Sequence, residues 1–229
     1  MDPAVYDAVE QSTHDLPLWR ALAAQSGTAV LELGSGTGRV TGDLGRRGVS
    51  VVGVDNDPAM LAHASRVTAG LPVRTHLADI RSLELGERFD LILAPARVLE
   101  AVGPCTERDR VLARLARHLG PGGCLALHVS EPPKGNQPTH SAFGLNAAGT
   151  HIWEERLDRE RRLRAVTLMR RSGAGIERFG PMRLWWDEAE GWRASLRRVG
   201  LVPVSEWRRV SLALVSAVRG EMYWLAVRP

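Results

Sequence analysis

The 229-residue chain has little cysteine, almost no lysine and no long apolar run. Its two cysteines, Cys105 and Cys124, form neither a disulfide framework nor a Cys-rich metal cluster, so a reducing setting is expected. Cys124 sits inside an apolar run and reads as a small core residue. No apolar stretch reaches the ~18 residues needed to cross a bilayer. The opening MDPAVYDAVE lacks the basic region and apolar core of a secretory leader. These absences predict a cytoplasmic protein with no membrane partner. Of 30 basic residues only Lys134 is lysine, and 26 acidic residues are mixed among the arginines. A net charge of +4 and a pI near 9.8 permit a nucleic-acid partner but do not require one. Interleaved charge of this kind reads first as an ion-paired surface. Internal repeats, low-complexity tracts and clustered His and carboxylate ligands are also missing, so no metal site is expected. The length suits one domain with a large core.

What the chain does contain is concentrated between Val30 and Asp57, VLELGSGTGRVTGDLGRRGVSVVGVDND. An apolar strand (Val30, Leu31, Leu33) enters a turn with Gly34, Gly36 and Gly38, and Ser35 and Thr37 lie between them. A short helix follows, and a second apolar strand (Val51, Val52, Val54) ends on Asp55. This is the first half of a nucleotide-binding βαβ unit, whose glycines let a ligand approach the start of the helix. The spacing is G-x-G-x-G, and Glu32 stands two residues before the first glycine. A carboxylate there repels a pyrophosphate and suits a ligand with cationic groups and a diol. S-adenosyl-L-methionine has both. Asp55 lies 21 residues past Gly34, where a second-strand carboxylate reaches ribose hydroxyls.

With these features the chain resembles the class I S-adenosylmethionine-dependent methyltransferases of small-molecule type. LELGSGTG matches their first motif, VVGVDNDPAML their second-strand motif, LADI (Leu77 to Ile80) their adenine-site segment, and FDLILAP and LGPGGCLAL their later strands. The resemblance covers Val30 to Glu131 well and the rest loosely. It implies a Rossmann-like α/β fold with a seven-stranded, mostly parallel sheet whose last strand is antiparallel. An N-terminal helical cap (1–27), a cofactor core (28–135), a substrate-covering antiparallel insertion (136–186) and a C-terminal part of the core (187–229) would make one methyltransferase domain. The cofactor residues expected are Glu32, Gly34, Ser35, Gly36, Thr37, Gly38, Asp55, Asn56, Met60, Asp79, Ile80 and Ala94. Met60 either points toward the adenine, as the resemblance implies, or fills the core.

Along the chain, apolar residues from Ala4 to Ser26 recur at loosely helical spacing, with Pro17 expected to divide two helices. In the family such helices lie over the cofactor, which makes Tyr6, His14 and Trp19 candidates for the acceptor pocket. Pro58 predicts a helix start capped by Asn56 or Asp57. LPVRTHLADI reads as a third strand, with Asp79 positioned to accept the adenine amino group and Ile80 to pack on its ring. FDLIL is a buried fourth strand that runs into Ala94-Pro95-Ala96-Arg97, and Arg97 is a candidate acceptor contact. Enzymes that methylate base amino groups commonly carry an acidic or Asn residue and then Pro-Pro-aromatic here. The chain has only one proline of that pattern, so a nucleic-acid acceptor is disfavoured, though not excluded.

Thr106 to Leu119 has helical periodicity, with Thr106 and Asp109 resembling a capping box and Gly120 to Gly123 predicting a turn. His128, at the end of the fifth strand, and His140, in the loop beyond, are candidates for a general base, as is His14. Between His151 and Trp186 the pattern admits a charged helix or two strands, 152–157 and 163–169, and strands are favoured. Trp153 and Trp185 lie where an aromatic acceptor can stack. Asp187 to Val199 is a helix with an acidic start and a basic end.

Methyl transfer from a sulfonium needs alignment and exclusion of water, and a base only for a neutral acceptor. A methyltransferase acting on O, N or C of a small molecule in specialised metabolism is the leading expectation, with an RNA or protein methyltransferase as the alternative. Nothing in the sequence separates a monomer from a homodimer.

Overall fold

The computed structural model describes residues 2–9, 13–27, 29–131, 140–146, 149–207 and 221–229. Two short helices open it, α1 (Pro3–Val9) and α2 (Leu16–Ala23). Five parallel strands follow: β1 (Val30–Leu33), β2 (Val51–Asp55), β3 (Val73–Leu77), β4 (Phe89–Ala94) and β5 (Leu119–Ser130). Helices α3 (Arg39–Gly45), α4 (Pro58–Val67) and α5 (Cys105–His118) connect them. A separate antiparallel sheet is built from β6 (His140–Asn146), β7 (Gly149–Asp158), β8 (Leu163–Ser172) and β9 (Gly175–Trp185). The chain then returns through α6 (Ala189–Arg198), β10 (Val202–Trp207) and β11 (Glu221–Val227).

The main sheet has seven strands in the order β10-β11-β5-β4-β1-β2-β3. β11 runs antiparallel to β5, pairing Glu221 with Ser130 and Val227 with Cys124. The start of β11 therefore meets the carboxyl end of β5, the edge where open α/β sheets bind ligands. The strand order also reverses between β1 and β4, so the edge is divided into a side beyond β1, β2 and β3 and a side beyond β4 and β5.

Both faces of the sheet are covered, which is why the strands read as continuous apolar runs. Leu31, Leu33, Ile92, Leu125 and Leu127 pack with Val111, Leu112 and Leu115 of α5 and with Trp192 and Leu196 of α6. On the opposite face Val30, Val51, Leu91 and Ala126 pack with Trp19 of α2 and with Val40 and Leu44 of α3. Each fully buried leucine contributes about 2 kcal/mol. Among the described residues no helix is long and apolar enough to cross a membrane.

Some local expectations are corrected, and two open choices are resolved. Pro17 lies in the first turn of α2, where its missing N–H costs nothing, and so it starts that helix. Asp57, not Asn56, caps α4, accepting from Ala59 N at 2.9 Å and Met60 N at 3.4 Å. α5 begins after Pro104 without a side-chain cap, so the capping box at Thr106 does not form. Asp109 instead pairs with Arg198 of α6 at 2.7 Å. The glycine run 120–123 is the start of β5, with Gly122 at φ +72° absorbing the distortion. The segment after His151 forms strands: β8 pairs with both β7 and β9, which places its dense charges on a sheet.

Candidate active site

On the donor side, β1 ends in a loop with three glycines at positive φ: Gly34 at +62°, Gly36 at +54° and Gly38 at +92°. A Cβ at Gly34 would stand 2.6 Å from Val98 Cγ2, and one at Gly38 would stand 3.3 Å from Ala64 Cβ. At those two positions the backbone angle and the close packing both demand glycine. The loop is held from behind, with Ser35 N donating to Val54 O at 2.9 Å and Gly38 N to Ser35 O at 2.9 Å. Tyr6 of α1 lies above it, its Cε1 3.9 Å from where a Cβ of Gly36 would be. Thr37 is buried, and Ser35 is buried with its hydroxyl lacking a hydrogen-bond partner.

Asp55 ties the second strand to this loop. Its Oδ2 accepts from Gly36 N at 2.8 Å and its Oδ1 from Asp57 N at 2.9 Å. Asn56 is exposed beside it, and Met60 is buried in α4. Asp79 follows β3 and binds Arg81, with Nη2 and Oδ2 2.5 Å apart, which holds its carboxyl below the usual range. Ile80 is half-buried against the core, and Ala94 is buried at the end of β4.

Glu32 lies behind the loop. It is 2% exposed, accepts a hydrogen bond from Thr41, and burial pushes its pKa up to about 7. It therefore acts on the site through its field rather than at its surface. An isolated carboxylate in such a place is costly, and a cation on the loop's outer side favours its charged form.

On the acceptor side, side chains from distant segments converge. His14 Nε2 lies 2.9 Å from Glu221 Oε2 and 3.2 Å from Tyr223 Oη. The Tyr223 hydroxyl donates to the same Glu221 oxygen at 3.0 Å. The hydrogen bond to Glu221 raises the pKa of His14, and although burial opposes it, His14 in return keeps Glu221 low. His128 on β5 stacks on Tyr223, with centroids 4.5 Å apart, and its Nε2 is 3.5 Å from Glu221 Oε1. Burial drives the His128 pKa down to about 4, so the ring is neutral near pH 7, and neither ring nitrogen has a hydrogen-bond partner. Trp19 is fully buried, 5.8 Å from Tyr223, and its indole N–H donates to Asp15 at 2.8 Å. Asp15 also binds Arg39 at the start of α3 at 2.6 Å, which fastens α2 to the end of the glycine loop. Trp19 is thus an anchor of the cap, buried away from any acceptor.

Beyond β4, Ala96 and Arg97 both have positive φ, +50° and +63°. They lead into a short helical turn, Val98–Glu100, that carries Glu100 under the end of β5. Glu100 accepts from Ser130 N and from Ser130 Oγ, the latter at 3.0 Å, and burial raises its pKa. Arg164 of β8 reaches the same hydroxyl at 3.1 Å. A second link joins the insertion sheet to the core: buried Asp187 accepts from Arg108 of α5 at 2.9 Å and from Arg162 in the turn just before β8. Trp185 is half-buried at the end of β9, and Trp186 lies buried 6.0 Å from the Arg162 guanidinium. The side chains of His140 and Trp153 lie outside what the structure describes. Among the described residues no group of three or more His, Cys, Asp or Glu side chains is placed to hold a metal ion.

Residues 30–123, which include the glycine loop and the carboxylates of β2 and β3, match the family model described as "Methyltransferase domain". This stretch of the chain is similar to a methyltransferase domain. Among curated proteins, this domain's relatives include a trans-aconitate 2-methyltransferase of Deinococcus radiodurans, 41% identical over 44% of this chain and 37% of that protein. A ubiquinone biosynthesis O-methyltransferase of Nitrobacter winogradskyi is 30% identical over 59% of this chain and 53% of its own length. The chain thus spans about half the length of these relatives or less. Among solved structures, the CcbJ methyltransferase of Streptomyces caelestis superposes with a TM-score of 0.84 at 23% identity, covering 95% of this chain and 97% of that one. CalS10 of Micromonospora echinaspora, an amino pentose methyltransferase, gives 0.76 at 23% identity over 99% and 95% of the two chains. The fold shared with these two structures extends over nearly the whole chain, the N-terminal helices and the insertion sheet included.

The sequence reading overlooked Glu100, Ser130, Arg164, Glu221 and Tyr223. One signal was available: Glu221 is a lone charge at the head of the apolar run MYWLAV, on a strand read as antiparallel to its neighbours. That places a carboxylate at the ligand-binding edge.

Proposed function

We propose that the protein is a methyltransferase that uses S-adenosyl-L-methionine and methylates O, N or C of a small-molecule acceptor in a biosynthetic pathway. The observation that carries this reading is the glycine loop fastened to Asp55 with Glu32 buried behind it, on the opposite side of the β1–β4 switch from a neutral, unpartnered histidine. The residues present fit the cofactor. The buried Ser35 hydroxyl has no hydrogen-bond partner in the loop, and Glu32 and Asp55 supply negative charge where an ammonium, a sulfonium and a ribose are to be held. In this reading Gly34 to Gly38 take the amino-acid end, Asp55 the ribose, and Asp79, Ile80 and Met60 the adenine, with Asn56 and Ala94 completing the wall.

When bound, the cofactor supplies a methyl group on a positively charged sulfur that leaves with its bonding electron pair. The protein has to align the acceptor and keep water out. The N-terminal cap, held by Arg39–Asp15 and His14–Glu221, and the insertion sheet, held by Arg108–Asp187–Arg162, close the acceptor side. For an acceptor bearing an N–H or O–H, His128 takes the proton as the new bond to carbon forms. Glu221 then faces the resulting imidazolium. His14, which holds the other Glu221 oxygen, positions this pair from the cap.

The curated relatives' names support a small-molecule acceptor, since they include trans-aconitate and dTDP-4-amino-2,3,4,6-tetradeoxy-D-glucose. Surface arginines such as Arg74, Arg81, Arg110, Arg193 and Arg198 each pair with a carboxylate, which argues against a nucleic-acid face. Free thiols at Cys105 and Cys124 suit a cytoplasmic setting. The test is transfer of a tritiated methyl group from the cofactor to a panel of small molecules and, in parallel, to bulk tRNA. Label on a small molecule, lost in His128→Ala, supports the reading. Label only on RNA, with affinity falling steeply with salt, overturns it.

A further inference from the structure

We propose that the acceptor is an anion, and that Arg97 and Arg164 grip its carboxylate or phosphate over the ends of β4 and β5. This rests on the methyltransferase reading and adds the charge of the substrate.

Burying a guanidinium away from a carboxylate is costly, so a protein that does so without a partner commonly reserves it for a ligand. Arg97 is such a residue. It is half-buried, its Nε is buried without a hydrogen-bond partner, and among the described residues it forms no ion pair. It follows Ala96, and both stand at positive φ, a conformation that side chains avoid and that clusters at ligand sites. Arg164 reaches the same place from the insertion sheet. It is 8% exposed, its Nη1 donates to Ser130 Oγ at 3.1 Å, and its Nε is again buried without a hydrogen bond. That Nε forms only a long ion pair, 3.7 Å from Glu155 Oε2.

Glu100 lies near both, and among the described residues it forms an ion pair with neither. Its two oxygens are taken by Ser130 N and Ser130 Oγ, and no guanidinium approaches it within ion-pair distance. Arg97 caps the short turn that carries Glu100, and Arg164 shares the Ser130 hydroxyl with Glu100, so the two arginines flank one neighbourhood. A planar donor whose Nε makes no hydrogen bond, on each of two elements, is the arrangement that takes carboxylate or phosphate oxygens in pairs. A neutral acceptor would leave both Nε atoms unsatisfied. Arg97 follows β4 and His128 lies on the neighbouring strand β5, so an anion held by Arg97 sets the rest of the acceptor toward the imidazole.

The test uses the full chain. S-adenosylhomocysteine is titrated first by calorimetry, and failure to bind overturns the methyltransferase reading on its own. Benzoate, its neutral isostere benzamide, and inorganic phosphate are then titrated into the protein with and without that ligand. The proposal expects benzoate or phosphate to bind at least about tenfold more tightly than benzamide. Arg97→Gln and Arg164→Gln should each weaken the anion by about tenfold or more while S-adenosylhomocysteine binds within about twofold of wild type. Arg97→Lys should fall between, since it keeps the charge and loses the fork. Preference for benzoate points to a carboxylate acceptor and preference for phosphate to a phosphorylated one. Equal binding of benzoate and benzamide with no phosphate binding overturns the proposal. So does anion binding that survives in both glutamine variants. Should Arg164→Gln fail to fold, Arg97→Gln decides.

Discussion

At the ends of β1 and β2 the buried polar groups are largely satisfied by near neighbours: Asp55 takes the N–H groups of Gly36 and Asp57, and Glu32 takes Thr41. At the ends of β4 and β5 the reverse holds. His128 keeps two ring nitrogens without a hydrogen bond, and Arg97 and Arg164 each keep an Nε without one, on three separate elements. The first arrangement is a pre-formed seat for a constant ligand, built within one βαβ unit. In the proposed reading the second leaves donors and acceptors for the methyl acceptor, between the core, the N-terminal helices and the insertion sheet.

Four experiments break or sharpen that contrast. The largest effect is expected on the acceptor side, where His128→Gln should lower turnover by about 100-fold or more on whichever acceptor the label panel returns. Affinity for S-adenosylhomocysteine should not change, and a parallel loss would mean that the two sides are one unit. Asp187→Ala should come next. It strips the charge partner from Arg108, which is 3% exposed, and should cost about 3–5 kcal/mol by denaturant unfolding. Because Arg162 is released with it, the acceptor KM should rise.

Gly34→Ala tests the donor side. With φ at +62° and Val98 Cγ2 in the way, it should destabilise the protein by about 1–3 kcal/mol and weaken S-adenosylhomocysteine, with His128 chemistry intact once the cofactor saturates. The smallest effect is a pH dependence of Glu32, whose pKa of about 7 exceeds its ordinary 4.5. The folded protein holds this proton more tightly than the unfolded chain, so its stability contribution is present below pH ~4.5 and is lost as pH rises through ~7. An ammonium held at the loop favours the charged form, so S-adenosylhomocysteine, which keeps that group, should bind severalfold more tightly at pH 8 than at pH 6. Glu32→Gln should flatten both curves, and an unchanged slope would remove Glu32 from the donor side.

The contrast also explains what the sequence disclosed. The glycine loop, Asp55 and Asp79 were legible because their spacing lies within one or two elements and follows strand and turn periodicity. The central strands were legible because both their faces are apolar. The acceptor side was legible only in pieces: His14 and Glu221 are 207 residues apart, and Arg108 and Asp187 are 79 apart, and no local pattern pairs them. Trp19 was misplaced for the same reason. Its helix repeat shows a buried face, but that Tyr223 fills the space beyond it depends on β11 inserting next to β5. The strands of the insertion competed with a helix reading because their charges sit at spacings common to both. Cross-strand pairing decides, as where Glu154 stands opposite Thr167.

The central claim is that a constant donor seat is held by Asp55 while a separate acceptor chamber is held by His128. The most direct measurement is calorimetric titration of S-adenosylhomocysteine into wild type, Asp55→Ala and His128→Gln. The account predicts one site in wild type, an affinity at least about 100-fold weaker in Asp55→Ala, where two charge-assisted hydrogen bonds and the ribose partner are lost, and a wild-type curve in His128→Gln. No binding to wild type, or an undiminished signal in Asp55→Ala, would contradict it.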